Sequence, residues 1–388
     1  MSRSIRIRFR AITTLLAVLC CASAAAAQTY TFTRIVDSNT SDFDPFGFGS
    51  PAINDAGQVA FKATDENTFV QGIFRGTGGP LTTIADSSGP LNFIGRLPSI
   101  NNAGDVSFAA TVSGGNEEIY RGNGGPLVVI ASTTTLPKFF AFNTSLNNVG
   151  SVAFQAELDT FDEGLFHGNG LPVVTPVFTT STSQFNDSFG SPSMNDAGQI
   201  AFEAGRDVGD RGIFRFDPAT NTFTTIVTDS GTFSTPDDRP SLSATGRVAF
   251  QSLINGGTDE GIFVGDGGAV TTIADSTGPF QFFARPSLND AGQIAFSATL
   301  DDNREGLFDG PDPVADRVLV AGEMFDGGII EGIVMDREGL NNRGELAFLV
   351  GFTDGRAAIY VATPVPEPTT AAVALLGGCA LLARRRRV

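Results

Sequence analysis

The chain has no tryptophan, one histidine, three tyrosines, three cysteines and two lysines, Lys62 and Lys138. Each scarcity excludes something. With 25 basic residues against 42 acidic ones and a net charge of −17, clustered cations that would hold a phosphate polyanion are missing, so nucleic acid is not an expected partner. The lone His167 lies in Leu165-Phe166-His167-Gly168 with no nucleophile-elbow motif beside it, so a Ser-His-Asp triad is not indicated. No P-loop and no EF-hand spacing occurs. Absent tryptophan and scarce tyrosine leave little material for sugar-stacking platforms. What is abundant is phenylalanine (34), glycine (46) and a hydrophobic content of 41% over 388 residues, enough for a real core and against wholesale disorder.

All three cysteines sit near the ends. Residues 1–27 carry Arg3, Arg6, Arg8 and Arg10, then the apolar run Ala11 to Leu19, then small residues up to Ala25-Ala26-Ala27. A basic n-region, a short h-region and an A-x-A site, with Ala25 and Ala27 at the cleavage positions, describe a secretory signal peptide cut by signal peptidase. A lipoprotein signal at Cys20 or Cys21 fits less well, because neither follows a small residue.

The opposite end reads Val365-Pro366-Glu367-Pro368, then the apolar stretch Ala371 to Ala383, then Arg384, Arg385, Arg386 and Arg387 before Val388. The stretch is short of the ~20 residues that cross a bilayer comfortably, and its basic end would stay cytoplasmic. This tail resembles the PEP-CTERM sorting signal. The resemblance implies recognition of Pro-Glu-Pro by an exosortase-type sorting enzyme, transient contact with the membrane through a C-terminal transmembrane helix, and export to the surface or extracellular matrix of a Gram-negative-type bacterium. The alternative is a permanent anchor. With both ends removed, the mature chain has no cysteine and a net charge of roughly −25, since eight of its arginines go with them. A cysteine nucleophile is thereby excluded.

Between the ends lies a repeat. The pattern Asn-x-x-Gly-x-x-Ala-Phe occurs at Asn54 to Phe61, Asn101 to Phe108, Asn147 to Phe154, Asn195 to Phe202, Ser243 to Phe250, Asn289 to Phe296 and Asn341 to Phe348. Gly57, Gly104, Gly150, Gly198, Gly246, Gly292 and Gly344 are spaced 47, 46, 48, 48, 46 and 52 residues apart. A Gly-Ile-Phe-like element follows each copy, and a Leu-Thr-Thr-Ile-Ala-like element follows that. The wording resembles the bacterial NxxGxxAF tandem-repeat family of secreted proteins, a resemblance that implies location and architecture and no defined activity.

One unit reads as four strands: a short one at Pro-Ser-Ile, a turn at Asn-Asp-Ala-Gly, then Gln-Val-Ala-Phe, Gly-Ile-Phe-Arg and Leu-Thr-Thr-Ile-Ala. Both faces of Val-Ala-Phe are apolar, as a sheet sandwiched between neighbours requires. The segment Thr31 to Asp37 looks like a fourth strand but precedes the first motif, and the last unit ends without one. Pairing the two closes the ring, so the expected fold of 28–363 is an all-β, seven-bladed propeller-like ring, with 364–388 as tail; an open β-solenoid is the alternative.

Candidate chemistry is thin. Asp37, Asp86, Asp229 and Asp275 end corresponding strands and read as Asx turns, and Arg75, Arg121 and Arg215 as a solvated face. The irregular spacing before Gly344 singles out Asp309 to Asp316, with Asp309, Asp312 and Asp316 as weak candidates for a metal, calcium being the cofactor such acids suggest. The expected function is a non-enzymatic interaction module associated with extracellular polysaccharide. The competing one is a propeller hydrolase or lyase acting on glycans or phosphate esters through carboxylates, and a ligand-sensing module is a third.

Overall fold

The computed structural model describes residues 28–366, apart from 136–138, 159–161, 171 and 188–189. The signal-peptide positions Ala25 and Ala27, the sorting positions Glu367 and Pro368, Arg384 to Arg387 and the proposed C-terminal helix lie outside the described residues.

Seven antiparallel sheets form a seven-bladed propeller ring. Blade 1 runs outward through Ala52–Ile53, Val59–Thr64, Gln71–Gly76 and Thr82–Asp86, the four strands the repeat predicts. Blade 7 contributes Gly328–Val334, Leu346–Phe352 and Ala357–Pro364, and its fourth strand is the N-terminal Tyr30–Asp37. That strand pairs in register from Tyr30 opposite Pro364 to Asp37 opposite Ala358. The ring is thus clasped by the two ends of the domain, which closes it where a solenoid would stay open. The domain extends slightly past 363, because the Val365 amide bonds the Thr29 carbonyl at 2.8 Å.

Each repeated Val-Ala-Phe strand is buried on both faces for a specific reason. The Val/Phe face of one blade packs on the Ala/Ile face of the blade before it: Val106 and Phe108 lie on Ala60 and Ile73, and Val152 and Phe154 on Ala109 and Ile119. The series closes where Val59 and Phe61 meet Ala347 and Ile359 of blade 7. Seven apolar clusters therefore fill seven interfaces between blades, and no blade has a core of its own. The alanine is small because the neighbour's phenyl ring occupies its place.

The 52-residue spacing has a clear origin. Phe308 pairs with Arg317 at the same separation as Phe263 with Thr272 and Phe74 with Thr83, so the hairpin holding Asp309 to Asp316 is of ordinary length. The extra residues form a hairpin of Met324–Phe325 and Gly328–Val334 on the way into blade 7.

Candidate functional site

The seven Asn-x-x-Gly turns surround one mouth of the central channel, and their chemistry explains the motif. Asn54 Oδ1 accepts the amides of Ala56 and Gln58 at 3.0 and 2.9 Å, while Asn54 Nδ2 donates to the Asn101 carbonyl of the next blade at 2.8 Å. The acceptor half of the amide caps its own turn and the donor half ties two blades. Asn101, Asn147, Asn195 and Asn289 repeat the bridge, and Asn341 returns it to Asn54 at 2.9 Å. Blade 5 breaks the series: Ser243 caps its turn through Oγ but has no second arm. The glycine three residues on lies at φ between +74° and +85° in all seven copies, which a side chain would strain.

Two further rings run parallel to this one. The amides of Asp55, Asn102, Asn148, Ala244, Asp290 and Asn342 donate to the Asn102, Asn148, Asp196, Asp290, Asn342 and Asp55 side chains of the following blade at 2.6–2.9 Å. The hydroxyls of Ser99, Ser145, Ser193, Ser241 and Ser287 accept from the next blade's inner strand at 2.9–3.1 Å. Arg75, Arg121 and Arg215 donate to the carbonyls of Gly104, Gly150 and Gly246 in the blades that follow. These arginines are inter-blade clamps, which corrects their reading as a solvated face. His167 holds the same position in blade 3, 3.4 Å from Ser151 Oγ, and burial pushes its pKa down.

The channel itself is a narrow polar space of about 170 Å³, closed by residues of blade 7. Most blades enter their inner strand on proline (Pro51, Pro98, Pro192, Pro240, Pro286), where blade 7 has Glu338. Arg337, 6% exposed, reaches across the bore to the carbonyls of Pro192 at 2.5 Å and Thr144 at 2.9 Å. Glu338 lies 3.5 Å from Arg337; burial raises its pKa, against Arg337 and the Ser99 and Ser145 hydroxyls.

Toward the other mouth, ion pairs gather. Arg239 meets Asp336 at 3.1 Å, Arg285 meets Asp237 at 2.9 Å and Asp238 at 3.3 Å, and Arg211 joins Glu203 at 2.7 Å to Asp187 at 2.9 Å. Burial pushes Glu203 up to about 8, outweighing Arg211, and pushes Asp237 up to about 6, outweighing Arg285. Sequence reasoning missed this group. The one available signal was Glu338 in a proline position.

The candidate carboxylates lie elsewhere. Asp309 accepts the Tyr30 hydroxyl at 2.5 Å, Asp312 caps the amides of Val314 and Ala315, and Asp316 accepts the Asp312 amide. They serve one outer hairpin of blade 6 and the clasp. Among the described residues no three His, Cys, Asp or Glu converge as a metal-holding group. Asp37, Asp86 and Asp275 make the expected Asx turns to Asn39, Ser88 and Thr277, and Asp229 accepts the Arg211 amide instead. Val365 and Pro366 leave the ring beside Gln28, whose Nε2 donates to the Val365 carbonyl at 3.1 Å. No helix among the described residues is long and apolar enough to cross a membrane.

A model of a family of unknown function, DUF7453, matches residues 85–328 and 328–372, which takes in most of the ring. The chain belongs to the DUF7453 family. No curated protein matches this DUF7453 chain significantly. Among solved structures it is similar to prolyl oligopeptidase B from Galerina marginata (TM-score 0.55, 10% identity, covering 83% of this chain and 50% of that one). It is also similar to an acylaminoacyl peptidase from Pyrococcus horikoshii (TM-score 0.50, 12% identity, 82% and 52%). The DUF7453 chain spans about half the length of these proteins, and at such identity the likeness is one of fold.

Proposed function

We propose that this protein is an exported, non-enzymatic propeller serving as an interaction module at the cell surface or in the extracellular matrix, with extracellular polysaccharide among its partners. In this reading signal peptidase removes 1–27 and an exosortase-type enzyme acts on Val365-Pro366-Glu367-Pro368, with Arg384 to Arg387 holding the tail at the membrane in transit. The observation that carries it is the clasp. Every paired residue of Tyr30–Asp37 and Ala357–Pro364 lies inside the two cleavage positions, and the ends emerge side by side. Both address labels can therefore be removed without loss of a blade contact. The repeated asparagines, serines and arginines are engaged in holding the ring, which leaves its faces for binding. An acidic body favours solubility and divalent-cation bridging to acidic polymers, with calcium the natural ion. Replacing Pro366-Glu367-Pro368 by alanines should trap a full-length, membrane-associated form; normal processing and release of that variant would refute the sorting assignment.

One observation favours a second reading, a carboxylate-based hydrolase or lyase. Glu203 and Asp237 hold raised pKa values in one cluster with three arginines, as an acid catalyst would need. Unchanged turnover of glycans and phosphate esters by Glu203→Gln and Asp237→Asn would dismiss it.

A further inference from the structure

The hairpin inserted before blade 7 leaves a strand edge uncovered. Gly328–Val334 pairs with Leu346–Phe352 on one side, but on the other side Gly322 to Phe325 covers it only from Gly328 to Ile330, whose amide bonds the Glu323 carbonyl at 3.0 Å and whose carbonyl accepts the Gly322 amide at 2.8 Å. No described strand pairs with Glu331–Val334 on that edge. An unpaired edge presents a row of main-chain donors and acceptors, which is a template for another strand. Three grooves of about 280, 510 and 280 Å³ meet at Val334. Their walls are largely apolar, and the exposed rings of Phe46 (84%), Phe93 (44%) and Phe282 (62%) rim them. Apolar side chains of this size in such exposure mark a contact surface. Among the described residues, the charged ones lining the largest of the three grooves are Arg96 and Arg239. Arg239 is tied to Asp336; the exposed Arg96 is oriented by the Phe48 carbonyl at 2.7 Å, and no described carboxylate pairs with it.

We infer that this edge docks an extended polypeptide by strand addition, its alternate apolar side chains dropping into the grooves about Val334 and an acidic group meeting Arg96. Main-chain pairing supplies affinity and the pockets on either face supply selectivity. A glycan is the poorer occupant, because the walls offer few polar side chains. The chain's own tail ends in four arginines, the wrong sign for Arg96, and a second copy of a body near −25 repels the first. This deepens the interaction-module reading, and its test does not depend on export or sorting.

The full-length chain is panned against a displayed library of random short peptides, with polygalacturonate and dextran as separate glycan probes and light scattering to report self-association. The expected result is enrichment of peptides with apolar residues at alternate positions and one Asp or Glu. Val334→Lys should weaken the selected peptides by about tenfold or more with an unchanged melting temperature. Arg96→Glu should shift selection from acidic to basic peptides, a reversal that loss of folding cannot produce. The inference is overturned if no peptide class is enriched, if binding ignores both substitutions, if they abolish polygalacturonate binding instead, or if the edge is found occupied by a second copy.

Discussion

At the scale of the residue, the asparagine of each Asn-x-x-Gly turn matters because it uses both ends of one amide. Aspartate can cap the turn but cannot donate to the next blade, and serine caps without reaching. Asn195→Ser should therefore lower stability by about 1–3 kcal/mol, because the Ser243 carbonyl loses its donor in a buried place. The reverse change, Ser243→Asn, completes the ring and should raise stability by about 1 kcal/mol; denaturant unfolding measures both. The motif was legible as a turn with a positive-φ glycine. Its role as a cross-blade tie was not, since the acceptor lies one repeat away and only closure brings it near. The same holds for Arg75, Arg121 and Arg215, which look like surface charges until the following glycine carbonyl is in place.

At the scale of the element, two features set stability. The clasp between Tyr30–Asp37 and Ala357–Pro364 contains Asp37, 2% exposed, paired with Arg356 at 3.0 Å. Arg356→Met leaves that buried carboxylate with only the half-exposed Arg34, 3.2 Å away, as its cation and should cost about 2–3 kcal/mol in thermal or denaturant unfolding. The inter-blade packing is equally specific. Ala249 receives the ring of Phe296, so Ala249→Leu should cost about 1–3 kcal/mol through overpacking. Strand order and the need to borrow the first strand were readable from the phase of the repeat. The long spacing before Gly344 was readable only as a length. Its assignment to the acidic hairpin of blade 6 failed because residue count does not say which of several connections takes the insertion, and pairing register does.

At the scale of the whole molecule, charge and closure act together. Glu203 and Asp237 are more favourable protonated than ionised in the fold, so their contribution is complete below the ordinary carboxyl range and is lost as pH rises through about 6 and then about 8. The melting temperature should fall between about pH 4 and 8, and Glu203→Gln should flatten the upper part of that decline, from about pH 6 to 8. The channel is closed by Arg337 and Glu338, whose side chains reach blades 2, 3 and 4 and whose carbonyls accept from Ile53, Ser241 and Ser287 of blades 1, 5 and 6, so the ring is held at its centre as well as its rim.

The sequence by itself determined the period, the number of blades and the four-strand unit, because each is a local pattern repeated along the chain. Tertiary structure alone decided which polar side chains tie blades together, which residues plug the channel, and where an unpaired edge is exposed. Those properties depend on contacts between segments about one repeat apart or across the ring, and no local pattern encodes them until the clasp has closed.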